Sequence, residues 1–280
     1  MEPDVIMKTA IVFYGGKYLP KYLYKYRYWN DFTHGLLETG DFFLPSRKKF
    51  NDPFDCDFHI PYEDGSELER TAYVVRAMSQ DFGITRPDDL AIEATVSLNN
   101  MPDTRDERRE HARASFFQSM DRYGIYCLSS VCTDILMWSH YADYHKGICI
   151  GFDTVKLLES VESQLDTKFF MDYIRYSHQA PRINPYDFAR EESQYLQEIS
   201  LLFLTKYKTW EYESEFRICC DGFADVSITI DTACIAEIIF GINTPDETIN
   251  KVRSICKGRD IAFYKAEKLE WQYGVKIQPL

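Results

Sequence analysis

Tyrosine occupies every second position from Tyr22 to Tyr28, with Leu23, Lys25 and Arg27 between. Period-two alternation marks a β-strand, because successive side chains leave opposite faces of the backbone. It fixes a strand near the start of the chain, with aromatics on one face and two cations on the other. Short apolar runs repeat the strand signal at 42–44, 124–130, 148–152, 168–176, 213–220, 226–230, 235–240, 261–266 and 273–277. Helical patterns lie between them at 30–39 (closed by Gly40), 133–144, 185–204 and 246–257. Three more gather at 66–82, 88–99 and 103–122, separated by Pro87 and Pro102. Ser66 with Glu69, and Asp103, supply start signals. Runs of strands with helices gathered between them imply an α+β fold with mixed or antiparallel sheets, not a regular βαβ repeat. No repeat or linker divides the sequence, so one domain over 1–280 with a helical insertion at 66–122 is expected.

The 280 residues are 45% apolar and 27% charged, a globular composition with ample material for a core. A net charge of −12 disfavours a broad nucleic-acid or anionic-membrane binder. That charge is uneven. Residues 1–49 carry eight Lys/Arg against five Asp/Glu, whereas 50–100 carry three against eleven. No run of 18 apolar residues exists, and the first residues lack a signal-peptide pattern, so no membrane association is expected. The eight cysteines are scattered without a C-x-x-C pair, which favours reduced thiols and a cytoplasmic location. The absence of G-x-G-x-x-G, P-loop and G-x-S-x-G patterns disfavours the common dinucleotide folds, P-loop NTPases and α/β-hydrolases.

Four segments can carry chemistry. Lys25 and Arg27 project from one strand face, with Lys17 and Lys21 close in sequence. Such a pair can hold a phosphate, Arg through a fork of donors and Lys as a point charge. The alternative is a solvated strand face. His140 and His145 are five apart, which misses the i, i+4 spacing of a helical metal pair, so no metal is expected. His140 then serves a hydrogen-bonded network or touches a ligand. Glu211, Glu213, Glu215 and Arg217 would share one face of a strand, with neighbouring carboxylates roughly 6.5–7 Å apart. Two such carboxylates can act on one sugar, one steadying an oxocarbenium ion and the other orienting an acceptor. The alternative is an amphipathic strand laced with Glu–Arg pairs. Asn51, Asp52 and Asp55, around Pro53 and Phe54, form either a ligand loop or a plain Asx turn.

Taken together these segments resemble the bacterial family known as domain of unknown function 2971. The resemblance rests on Leu23–Arg27, Phe50–Asp55, Leu136–Phe152, Lys206–Ile218 around Trp-Glu-Tyr-Glu-Ser-Glu-Phe-Arg, and Ile238–Gly241. A weaker resemblance is to ADP-ribosyltransferase-like domains. In these a first strand holds the dinucleotide, a middle strand bears Ser or Tyr, and a late strand supplies Glu. Arg27, Ser129 or Ser130, and Glu213-Ser214-Glu215 stand in that order here.

This second resemblance implies an ADP-ribosyltransferase-like fold and a NAD-using transferase of bacterial conflict or phage-defence type. Lys25 and Arg27 would bind the pyrophosphate or ribose, and Tyr24 or Tyr141 would stack on nicotinamide. Ser129 and His140 would line the pocket. Glu215 would stabilise the oxocarbenium ion and Glu213 would orient an unknown protein or nucleic-acid acceptor. A NAD glycohydrolase and a non-catalytic nucleotide- or protein-binding sensor are the alternatives.

Overall fold

The structure is a computed structural model that describes residues 11–61, 66–80, 83–102, 104–167, 169–184 and 200–280. The chain combines helices with mixed sheets, the α+β arrangement expected from its sequence. It divides into two compact units. The first comprises Met1–Pro45, Gly124–Ile174 and Thr209–Leu280, and the second Ser46–Tyr123 and Arg175–Lys208.

The first unit opens with a hairpin, β1 (Ile11–Tyr14) and β2 (Lys17–Pro20), followed by β3 (Tyr22–Arg27). Helix α1 (Asp31–Thr39) begins where Asn30 Oδ1 accepts from Thr33 N at 2.9 Å, and ends at Gly40 with φ +76°. Strand β4 (Asp41–Leu44) follows, and later pairs with β11 (Val226–Thr229). The main sheet has eight strands. It is built from β3, β5 (Gly124–Ser129), β6 (Ile148–Asp153), β7 (Phe169–Tyr173), β10 (Glu215–Cys220), β12 (Ile235–Phe240), β13 (Ala262–Lys268) and β14 (Val275–Pro279). The spatial order is β14-β13-β12-β6-β3-β5-β10-β7, and only β12 and β13 run parallel.

Alternation along β3 divides this sheet into two faces. Leu23 packs with Ile148, Ile150, Phe152, Phe216 and Ile218, beneath Leu157 and Leu158 of α6 (Thr154–Gln164) and Val252 of α7 (Asp246–Ile255). Tyr24 and Tyr26 pack on the other face with Cys149, Ile239 and Trp138. Trp138 belongs to α5 (Ile135–Tyr141), where it is fully buried and donates its indole N–H to Cys132 O. This helix is shorter than the expected 133–144. Asp134 caps it, and Asp143, Tyr144 and His145 all take positive φ, turning the chain left-handed into β6.

The second unit holds α2 (Glu67–Gln80), α3 (Pro87–Asn99) and α4 (Arg105–Met120), with β8 (Arg175–Ser177) parallel to β9 (Thr205–Tyr207). The expected helical insertion is thus part of a larger body. Ser66 and Glu69 bond reciprocally at the start of α2. Asp103 lies outside the described residues, and Thr104 with Glu107 forms the capping box of α4. Most of the helix expected at 185–204 also lies outside the described residues. Among the described residues, no helix is long and apolar enough to cross a membrane.

Candidate functional site

Register brings the expected site strands together. Tyr24 of β3 pairs with Ser129 of β5, and Ser129 pairs with Glu215 of β10. The three residues form one row across three adjacent strands, and directly paired residues share a face. On the other side of Tyr24 the row continues through Gly151 of β6 to Glu237 of β12. A Cβ at Gly151 would fall 2.4 Å from Glu237 Cγ, so glycine here lets Glu237 lie close across the sheet toward Tyr24. Burial raises the pKa of both the Tyr24 phenol and the Glu237 carboxyl.

Glu213 and Glu215 are not neighbours on one strand face, as alternation had implied. Residues Lys208–Glu213 form a 3-10 turn, and Ser214 takes φ +44° before β10 begins at Glu215. Only Glu215 and Arg217 obey the i, i+2 pattern, and they bind each other. Arg217 Nε donates to Glu215 Oε1 at 2.7 Å and Nη2 donates to Oε2 at 3.1 Å. Arg217 is 0% exposed and Glu215 4%, so this is a buried bidentate ion pair, not a solvent-facing one. Beside it the Cys127 thiol is held well above the usual range, by burial first and then by the Glu215 charge.

Glu213 is buried too. The Tyr141 hydroxyl donates to its Oε1 at 2.6 Å, and the Ser129 hydroxyl donates to its carbonyl at 2.7 Å. Ser130 N donates to Ser214 O at 2.9 Å, which clamps the Glu-Ser-Glu turn onto β5. From Tyr141 a run of rings continues through exposed His140 to half-buried Tyr212 and Trp210. His140 Nδ1 is 3.1 Å from the Tyr212 hydroxyl, and successive ring centroids lie 6.0–6.3 Å apart.

The cations are placed differently from expectation. Lys25 and Arg27 alternate with Tyr24 and Tyr26, so they leave the opposite face of the sheet from Glu215. Nor is that face fully solvated, because its apolar residues pack against α6 and α7, and Lys25 and Arg27 are half-buried. The Lys25 ammonium donates to Cys127 O at 2.6 Å and lies 4.7 Å from the centroid of the Tyr126 ring. Burial, then the Arg27 charge, pushes Lys25 down to about 8, against the pull of Glu215 and Glu213. Alternation therefore does not put Lys25, Arg27 and Glu215 on one face of the sheet, as the expected shared dinucleotide site would have them. Lys17 lies elsewhere, paired with Asp172.

The expected ligand loop belongs to the second unit. Asp55 is buried and pairs with Lys206 at 3.4 Å, Asp52 Oδ1 accepts from Phe54 N at 2.9 Å, and Asn51 is exposed. The Glu–Arg pairing held open as the alternative for this strand is present at Glu215 and Arg217, but buried and not on a solvent face. The left-handed Ser214 has no sequence signal, since only the tertiary clamp to Ser130 accounts for it.

Fold and site together define an α+β protein with a buried acidic cluster beneath an aromatic edge. Within it, residues 137–218 match a family model described as Protein of unknown function (DUF2971), so the resemblance to that family is shown over this stretch. It runs from α5 to β10 and includes His140, Tyr141, Glu213, Glu215 and Arg217. Searches of curated proteins and of solved structures gave no match.

Proposed function

We propose that the first unit is a NAD-using, ADP-ribosyltransferase-like enzyme that breaks the nicotinamide–ribose bond. The observation that supports this most is the row Tyr24–Ser129–Glu215 on three adjacent strands. It reproduces the first-, middle- and late-strand order of the resemblance, with Tyr24 rather than Arg27 facing the row. In this reading the aromatic edge receives the nicotinamide, with Tyr141 and His140 at its rim. Glu213 and Glu215 supply negative charge where an oxocarbenium ion develops. Arg217 orients Glu215 through its two hydrogen bonds. The acceptor is an unknown protein or nucleic acid, or water in the glycohydrolase variant. The eight free cysteines, seven of them buried, suit a reducing, cytoplasmic setting, and a conflict or phage-defence role fits the bacterial resemblance.

A second reading, a non-catalytic nucleotide- or protein-binding module, is favoured by the bidentate hold of Arg217 on Glu215. A carboxylate already saturated by a guanidinium stabilises a fold as readily as it serves a reaction. Nicotinamide release from NAD, followed by chromatography, separates the two. The enzyme reading expects release by the wild type and at least about a hundredfold loss in Glu213→Gln, as for removal of a charge-stabilising group. Free ADP-ribose without added acceptor would assign the glycohydrolase variant. No release by a folded wild type that NAD nevertheless stabilises against heat would assign the binding module.

A further inference from the structure

The second unit contains a cavity of about 300 Å³ that the NAD reading does not use. It is formed between the 52–57 loop, the turn after β8, and β9. Its size suits a side chain or a small molecule and is at the lower limit for ligand pockets in general. Three aromatic rings line it. Phe54 is 74% exposed and Tyr207 50%, and His178 meets Tyr207 edge to face at 5.9 Å. Exposed aromatics that line a cavity offer ring faces to whatever enters it.

The charges on the wall decide what fits. Two aspartates, Asp52 and Asp57, and one lysine, Lys206, line the cavity. The lysine ammonium is buried and already paired with Asp55. A phosphate or carboxylate ligand would thus meet the like charge of Asp52 and a cation committed elsewhere, while Asp57 is itself paired with Arg113. A cation would meet the Asp52 carboxylate and ring faces together, an environment that attracts it. The same unit builds this arrangement twice from its own residues. Arg113 pairs with Asp57 at 2.6 Å and lies over the rings of Phe58 and Phe117. Arg47 pairs with Asp121 at 2.7 Å and lies 4.1 Å from the Phe117 centroid. Both cations are guanidinium groups, which are planar and weakly hydrated and so stack on rings as an ammonium does not.

We propose that this cavity is a binding site for an alkyl-guanidinium group, held between Phe54, His178 and Tyr207 and neutralised by Asp52. The source is either a free guanidino compound or an arginine side chain of a peptide.

The test is calorimetric titration of the full chain with agmatine, Nα-acetyl-argininamide, Nα-acetyl-citrullinamide and inorganic phosphate. Saturable binding of at least one guanidinium probe is expected, with the neutral citrulline isostere at least about tenfold weaker. Tyr207→Phe keeps the ring and should bind within about twofold of wild type, while Tyr207→Ala should lose about tenfold. Asp52→Asn should weaken binding severalfold and flatten its salt dependence. Tighter binding of agmatine assigns a free compound, and tighter binding of the blocked amino acid assigns a peptide. The proposal is overturned if citrulline and arginine probes bind alike, if phosphate competes, or if neither guanidinium probe binds at millimolar concentration. Should Tyr207→Ala fail to fold, the isostere comparison on wild type and on Asp52→Asn decides.

Discussion

Replacing Arg217 by Met tests whether the Glu215–Arg217 pair holds the first unit together. The methionine fills much of the arginine stem's volume but leaves the Glu215 carboxylate, 4% exposed, without its two charge-assisted donors at 2.7 and 3.1 Å. Deleting one partner of a buried pair costs about 3–5 kcal/mol, because the other charge stays desolvated. Whole domains are stable by only about 5–15 kcal/mol, so the variant should unfold at a much lower urea concentration. Glu215→Gln should also destabilise, since it leaves a fully buried guanidinium facing a neutral amide. The double variant Glu215→Gln/Arg217→Met removes both charges. Its loss should therefore fall short of the sum of the two single losses by at least about 1.5 kcal/mol. Urea unfolding of all four proteins at pH 7 measures this cycle. Additivity within about 0.5 kcal/mol would refute the reasoning, and would free Glu215 from its structural role.

Three further outcomes follow from the same geometry. Burial lifts the thiols of Cys132, Cys220 and Cys234 from 9.0 to about 12. The unfolded chain then releases these protons near pH 9 while the folded chain keeps them. Under reducing conditions stability should drop above pH 9 by up to about 1.4 kcal/mol per pH unit per thiol, and an unchanged urea midpoint from pH 8 to 10 would contradict this. Lys25 has the opposite sign: folding lowers it from 10.5 to about 8, so its penalty is complete below pH 8 and fades between 8 and 10.5. Lys25→Met should accordingly compare more favourably with wild type at pH 7 than at pH 10, and an equal difference at both would count against an enclosed ammonium. Finally, Gly40→Ala combines φ +76° with a Cβ placed 2.1 Å from Ile230 O, so it should lower stability by more than about 2 kcal/mol in thermal melts.

Much of the fold is legible from local pattern, since local physics dictates it. The tyrosine alternation gives β3, Asn30 and Gly40 bound α1, and Ser66 with Glu69 starts α2. The errors fall where a distant contact overrides the pattern. The run around Glu213 reads as continuous strand, yet Ser129 and Ser130 clamp its backbone and Ser214 turns left-handed. Asp143 and Tyr144 continue a helical pattern but take positive φ on the way into β6.

By itself the sequence determined that Lys25 and Arg27 share one strand face, that Glu215 and Arg217 share another, and that Ser129 lies on a strand between them in chain order. Period-two geometry needs no further information. It could not determine which of those faces meet. That was decided by the order β3-β5-β10 and by a register that sets Tyr24, Ser129 and Glu215 in one row. The same register places the cations behind the sheet. Inter-strand register is set by packing of side chains far apart in the chain, so it exists only once the sheet has formed.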